Sequence, residues 1–135
     1  MAQLLAVLIA IIASAAIGAL VVAVVVQLAA NLIFKFKPPY GMAYKAVFLG
    51  YLASVTMALI IGLAVQQPPD QMADVLRALM PVLVFLVHAF VYGIVISHPQ
   101  RGPVGLGKGL VLTLAMVLFV TVLASVVLGI LAIAL

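Results

Sequence analysis

The chain has 135 residues, of which 70% are hydrophobic and only 6% are charged. A soluble domain of this size could not bury so much apolar surface, so lipid must be the solvent for most of the chain. The formal net charge of +4 is therefore a signal of membrane topology, and no nucleic-acid partner is expected. The sequence contains no cysteine, which excludes disulfides and thiolate chemistry.

Four apolar runs are each long enough to cross a hydrocarbon core of about 30 Å. They predict an all-α fold, a four-transmembrane-helix bundle that forms a single integral membrane domain. We expect the helices over about residues 3–34, 43–65, 70–97 and 107–135. No cleaved signal peptide is expected, because the first residues lack a basic segment and the apolar run is too long for one.

The first predicted helix carries no charge, and its polar residues lie near its end. Gln27 and Asn31 are four residues apart and so share a face. We interpret them as hydrogen-bonding partners of another helix; contact with a lipid headgroup or a quinone is the alternative. Pro38 and Pro39 stop the helix, since consecutive prolines cannot continue it.

The second and fourth predicted helices each carry small residues at four-residue spacing. Such stripes are typical of faces on which a second helix packs closely. In the second helix the stripe consists of Ala46, Gly50, Ser54, Ala58 and Gly62. In the fourth helix, with Val117 interrupting, it consists of Gly109, Thr113, Thr121, Ser125 and Gly129.

The third predicted helix is expected to begin at Asp70 as its N-cap and to kink at Pro81. It carries His88 near its middle, with Tyr92 one turn later. An imidazole at that depth needs a partner. His88 is the candidate cofactor-binding residue, as a haem ligand, a proton relay or a cofactor contact.

The alternative role for His88 is structural. A neutral imidazole could bond a backbone carbonyl, or a Ser or Thr of a neighbouring helix. We favour this role and expect no cofactor and no metal, because no second histidine and no carboxylate lies at that depth.

Two basic turns separate the helices of each hairpin. Residues 35–45 and 101–109 share a pattern of a basic residue, proline, glycine and lysine. This similarity predicts two tandem helical hairpins related by a parallel repeat.

The same turns predict the topology, because basic residues accumulate on the cytoplasmic side and can contact anionic lipid. The basic residues concerned are Lys35, Lys37, Lys45, Arg101 and Lys108. Both termini are then expected on the non-cytoplasmic side, of a bacterial plasma (inner) membrane. Residues 1–33 and 120–135 contain no aromatic side chain, which indicates that a partner covers that half of the protein.

Catalysis is not expected, because the sequence has no phosphate-binding loop, catalytic triad, carboxylate pair or metal-spaced cluster. We predict a non-catalytic membrane subunit, assembly factor or scaffold that packs against other membrane-protein subunits, or against itself as a homo-oligomer, among membrane lipids. One alternative is a small oligomeric channel or transporter for a neutral or weakly polar solute. Its path would be lined by His88, Tyr92, Thr113, Thr121 and Ser125. A second alternative is a haem- or quinone-binding subunit that uses His88.

Overall fold

The protein is a four-helix molecule in a computed structural model that describes residues 2–64 and 71–134. Its helices are α1 (Ala2–Phe34), α2 (Tyr40–Ala64), α3 (Gln71–Val95) and α4 (Leu106–Ala134). All four are long and apolar enough to span a membrane, which confirms the all-α prediction and fits an integral membrane protein. α3 continues as a helix through Pro81. The predicted N-cap Asp70 lies outside the described residues.

The connection between α1 and α2 folds back along α1. Lys35 ends α1 with a positive φ of 54°, the left-handed conformation that commonly terminates helices. The Gln27 side chain then donates a hydrogen bond from Nε2 to the Pro38 carbonyl oxygen at 2.7 Å. Further along, the Tyr40 hydroxyl donates to the Leu20 carbonyl at 2.8 Å. The last two turns of α1, about 10 Å of helix, therefore extend beyond the start of α2.

Two helix boundaries differ from the sequence prediction. α2 begins at Tyr40 and not at Ala43, because the Pro39 carbonyl accepts hydrogen bonds from the amides of Met42 and Ala43 at 3.0 and 3.1 Å. α3 ends at Val95 and not at position 97. In both cases hydrogen bonds of the connecting turn decide where the regular helix begins or ends.

A short β-hairpin, which the sequence did not predict, connects α3 to α4. Its strands are β1 (Ser97–His98) and β2 (Gly102–Pro103), paired antiparallel with Ser97 opposite Pro103. The Arg101 amide closes the turn on the His98 carbonyl at 3.2 Å. Gly102 follows with a φ of 72°, a conformation that glycine adopts at little cost.

The four helices pack as a ring in chain order. α3 and α4 make the most extensive contact, and α1 and α4 make the least extensive contact of the four adjacent pairs. We call the end that carries residues 35–39 and 96–105 the basic end. We call residues 2–14, 55–64, 71–84 and 117–134 the far half.

The buried core lies almost entirely near the basic end. Its apolar members are Ala19, Ala23, Val26, Ala30, Ala43, Ala46, Val47, Tyr92, Ile96 and Leu112. In the far half, Ala73 is the only described residue that is buried, and every residue from Val117 to Ile133 is exposed. Among the described residues, packing is therefore tight near the basic end, and the far half is largely uncovered.

Candidate functional site

The predicted stripe on α2 forms an interface over its first half only. Ala46, Gly50 and Ser54 are buried, Ala58 is half-buried and Gly62 is exposed. Each step of four residues turns an α-helix through about 400°, so the line rotates by about 40° per step. Three successive members can face one neighbour, and the later members leave that interface.

The stripe on α4 is likewise buried over its first part and exposed over its later part. Gly109 and Thr113 are buried, and Thr121, Ser125 and Gly129 are exposed. The Thr121 and Ser125 hydroxyls both donate to carbonyls of their own helix at 2.8 Å. The prediction of a packing interface is therefore met near the basic end, and no other part of the described chain covers the rest of the stripe.

Glycines bring α3 and α4 into backbone contact at their crossing. A Cβ atom on Gly109 would overlap the Ala89 carbonyl oxygen and lie 2.8 Å from the Gly93 nitrogen. A Cβ atom on Gly93 would lie 2.8 Å from the Gly105 carbonyl oxygen. The sequence prediction included Gly109 but missed Gly93, although Ala89 and Ser97 are small residues four positions before and after it.

α1 has a small-residue face that the sequence prediction also missed. Ala15, Ala19 and Ala23 are all buried, and their four-residue spacing is the same signal that identified the stripes on α2 and α4. The sequence therefore also carried the signal for a packing face on α1.

His88 has the structural hydrogen bonds that the sequence favoured. Its Nδ1 lies 3.0 Å from the Val84 carbonyl oxygen and 2.9 Å from the Ser54 hydroxyl oxygen on α2. Because a carbonyl only accepts, Nδ1 carries the proton. The Ser54 hydroxyl donates in turn to the Gly50 carbonyl at 2.8 Å, so it is free to accept from His88.

This arrangement leaves the other ring nitrogen as an acceptor. Both hydrogen bonds of the ring within the described part of the chain involve Nδ1, and the residue keeps 8% of its surface exposed. Gly50 makes room for the ring, since a Cβ atom there would lie 3.0 Å from Cδ2 of the imidazole. In this neutral tautomer, Nδ1–H donates to Val84 and Ser54, and the lone pair of Nε2 can accept a further hydrogen bond.

Tyr92 packs edge-on against the His88 ring, with the ring centroids 5.9 Å apart. The side chain is fully buried, and its hydroxyl has no hydrogen-bond partner among the described residues. An unpaired buried hydroxyl is costly.

A cavity of about 400 Å³ lies between the four helices, beside His88. Its apolar walls come mainly from the middle of α1 and α4. The polar side chains that line it are Ser14, Tyr51, His88 and Thr121. Ser14, Gly18 and Thr121 line it and are exposed, so the cavity opens between α1 and α4, where these helices make little contact.

The cavity contains part of the path that the transport alternative predicts. His88 and Thr121 line it, whereas Tyr92, Thr113 and Ser125 do not. Thr113 is buried, and its hydroxyl donates to the Gly109 carbonyl at 2.9 Å. The five residues therefore do not form one continuous polar path along this cavity.

Gln27, Asn31 and the basic residues do not line this cavity. Gln27 bonds the Pro38 carbonyl of the returning loop and not a helix, whereas Asn31 is exposed, and its predicted bond to another helix stays a prediction. The loop between α1 and α2 therefore supplies the acceptor for Gln27.

The side chains of Lys35, Lys37, Lys45 and Arg101 are exposed at or near the basic end. Lys108 is half-buried and places its ammonium 5.2 Å from the centre of the Phe34 ring, a cation–π contact that joins α1 and α4.

Within residues 2–64 and 71–134, no three potential metal-ligating side chains lie together. Comparison with known proteins gives no match to a family model, a curated protein or a solved structure. A functional assignment therefore depends on the geometry of the chain itself.

Proposed function

We propose that this protein is a non-catalytic integral membrane subunit that assembles with other transmembrane helices through its far half. The observation that carries this proposal is the uncovered small-residue surface of α4. Thr121, Ser125 and Gly129 are exposed to the surroundings, and a Cβ atom on Gly129 would meet nothing within 4 Å. Small and hydroxylated residues are enriched where membrane helices pack against each other.

The occupant we propose for this surface is a second copy of the chain. Two copies with the same topology in one membrane present parallel α4 helices. Parallel pairing suits a small-residue stripe because the same residues face each other across a two-fold axis. The far half also carries no charge on α1 or α4 that would oppose such a contact.

The topology belongs to the same proposal. Five of the six basic residues lie at or near the basic end, which would be cytoplasmic by the positive-inside rule. Both termini would then lie on the other side of a bacterial inner membrane, together with the assembling half. The parallel repeat of two hairpins also remains our hypothesis, although its two connecting turns have different backbone conformations.

Disulfide cross-linking in native membranes tests the contact, because the chain contains no cysteine. We expect Ser125→Cys to form a linked dimer under mild oxidation. Val127→Cys is the matched control, since it is equally lipid-exposed but lies about 200° around the helix. Native mass spectrometry of the particle in nanodiscs should show a multimer.

One result of these experiments would change the proposed partner, and another would contradict assembly through α4. A heavier partner attached to a single copy would make the far half a surface for another protein. A lone chain in nanodiscs, together with equal cross-linking by both cysteine variants, would contradict assembly through α4.

A further inference from the structure

We infer that the cavity beside His88 is a binding site for a neutral, membrane-soluble alcohol or phenol with an apolar body. This inference does not require the proposed assembly, because the cavity is formed by one chain, although Thr121 belongs both to its lining and to the α4 surface proposed for assembly. It also differs from the haem alternative, since the ligand is recognised by hydrogen bonds to polar side chains and not by coordination to the imidazole.

The size of the cavity sets the size of the apolar body. Its volume of about 400 Å³ falls in the range of about 300–1,000 Å³ that is usual for small-molecule sites. A water-sized group occupies about 30 Å³, so the cavity holds roughly a dozen such groups. A single alkyl chain of about twelve carbons or one ring system fits this space, and a whole two-chain lipid does not.

The hydrogen bonds around the cavity set the chemistry of the ligand. The Ser14 hydroxyl donates to the Ile11 carbonyl at 2.9 Å, and the Thr121 hydroxyl donates to the Val117 carbonyl at 2.8 Å. Both hydroxyl protons are therefore used within their own helices, and only the oxygen lone pairs remain.

His88 adds the strongest acceptor. Its Nδ1 proton is held by Val84 and Ser54, so its Nε2 lone pair is available. Tyr51 lines the cavity and can donate or accept. A ligand hydroxyl matches this set, because it donates to an acceptor and can accept from a phenol. No charged side chain lines the cavity in the described chain, so an ionic ligand would lack a partner.

The entrance favours arrival from the membrane. Ser14 and Gly18 on α1 and Thr121 on α4 all line the cavity, and all three are exposed. A Cβ atom on Gly18 would meet nothing within 4 Å. The opening thus lies on the side of the helices, where an apolar molecule dissolved in lipid can enter without crossing water.

The experiment uses the full chain in nanodiscs with a dodecanol that carries a diazirine on its alkyl chain. After irradiation, mass spectrometry locates the labelled residues. We expect labelling on cavity residues such as Val22, Met116 and Val120. Unlabelled dodecanol should compete about fivefold better than its methyl ether, which lacks the donor proton, because one hydrogen bond contributes about 1 kcal/mol.

Matched variants separate the cavity from the lipid-exposed surface. Gly18→Leu should fill the opening and remove the cavity labelling, whereas Gly107→Leu, also in open space and outside the cavity, should leave it unchanged. His88→Phe should abolish the preference for the alcohol over the ether. The glycine pair does not disturb the hydrogen bonds of His88, so it remains decisive even where His88→Phe does not fold.

Two results would overturn the inference. Equal labelling of the cavity residues in Gly18→Leu and Gly107→Leu would show that the cavity is not the site. Equal competition by dodecanol and its methyl ether would show that the occupant is an acyl chain held without a specific hydrogen bond.

Discussion

The substitution Gly109→Ala should weaken the protein, although alanine normally stabilises a helix. A Cβ atom at this position would overlap the Ala89 carbonyl oxygen and lie 3.0 Å from the Ala89 carbonyl carbon and 2.8 Å from the Gly93 nitrogen. All three atoms belong to the backbone of α3, so no side-chain rotation can relieve the contact. The two helices must move apart instead.

The expected magnitude results from two opposing terms. Overpacking a close contact costs about 1–3 kcal/mol, and a gap of 0.5–1 Å already loses a quarter to a half of the dispersion energy of the surrounding contacts. We therefore expect a cost near the upper value, about 3 kcal/mol. The better helix propensity of alanine offsets about 1 kcal/mol, which leaves a net loss of about 2 kcal/mol in the free energy of unfolding.

Reversible unfolding by SDS in mixed micelles, followed by far-ultraviolet circular dichroism, measures this loss. Gly129→Ala on the same helix is the control, because a Cβ atom there meets nothing within 4 Å. That variant should be as stable as the parent or up to about 1 kcal/mol more stable. Gly93→Ala, whose Cβ would lie 2.8 Å from the Gly105 oxygen, should repeat the loss. Equal stability of Gly109→Ala and Gly129→Ala would refute the close backbone contact.

Three further predictions concern other parts of the chain. Tyr92→Phe should raise the free energy of unfolding by about 1–3 kcal/mol, because it removes a buried hydroxyl that has no partner in the described structure; an unfolding curve that shifts towards lower stability would indicate that the hydroxyl is satisfied. Gln27→Leu should lower the free energy of unfolding by about 1–3 kcal/mol, because the Pro38 carbonyl loses its donor. Asn31→Leu, at an exposed position, should change it by no more than about 0.5 kcal/mol. Equal effects of the two substitutions would contradict the hydrogen bond between Gln27 and the returning loop. Lys37→Cys should react with a membrane-impermeant maleimide only after cells are opened, as the proposed topology requires; labelling of intact cells would reverse that topology.

The helices were predictable because their signal is long and strong. Runs of about 20 or more apolar residues allow few structures in lipid other than a spanning helix. Turn positions were less predictable. The hairpin at Ser97–Pro103 depends on a few hydrogen bonds and on the positive φ of Gly102, which apolar periodicity does not record.

The sequence predicted His88 as the centre of the site but did not predict the cavity beside it. His88 is a rare polar residue within a span, so the sequence identified it and its type of partner. The cavity beside it depends on how far α1 and α4 diverge, and residues such as Gly18 and Val22 look ordinary in an apolar helix. The predicted stripes extend beyond the interfaces because a four-residue repeat rotates around a straight helix, as the exposure of Gly62 and Gly129 shows.

The close backbone contact of α3 and α4 at Gly93 and Gly109 fixes α4 at one point, so that a tilt of the helix there moves its far end. Its backbone is held against α3 at Gly109, whereas all residues from Val117 to Ile133 are exposed in the described part of the chain. About 25 residues separate Gly109 from Ala134, or about 37 Å at a rise of 1.5 Å per residue. A tilt of about 10° at the crossing moves the far end of α4 by about 6 Å and Thr121, about 18 Å from the crossing, by about 3 Å. The width of the opening between α1 and α4 is therefore tied to the tilt of one helix, and a bilayer of different thickness changes that tilt.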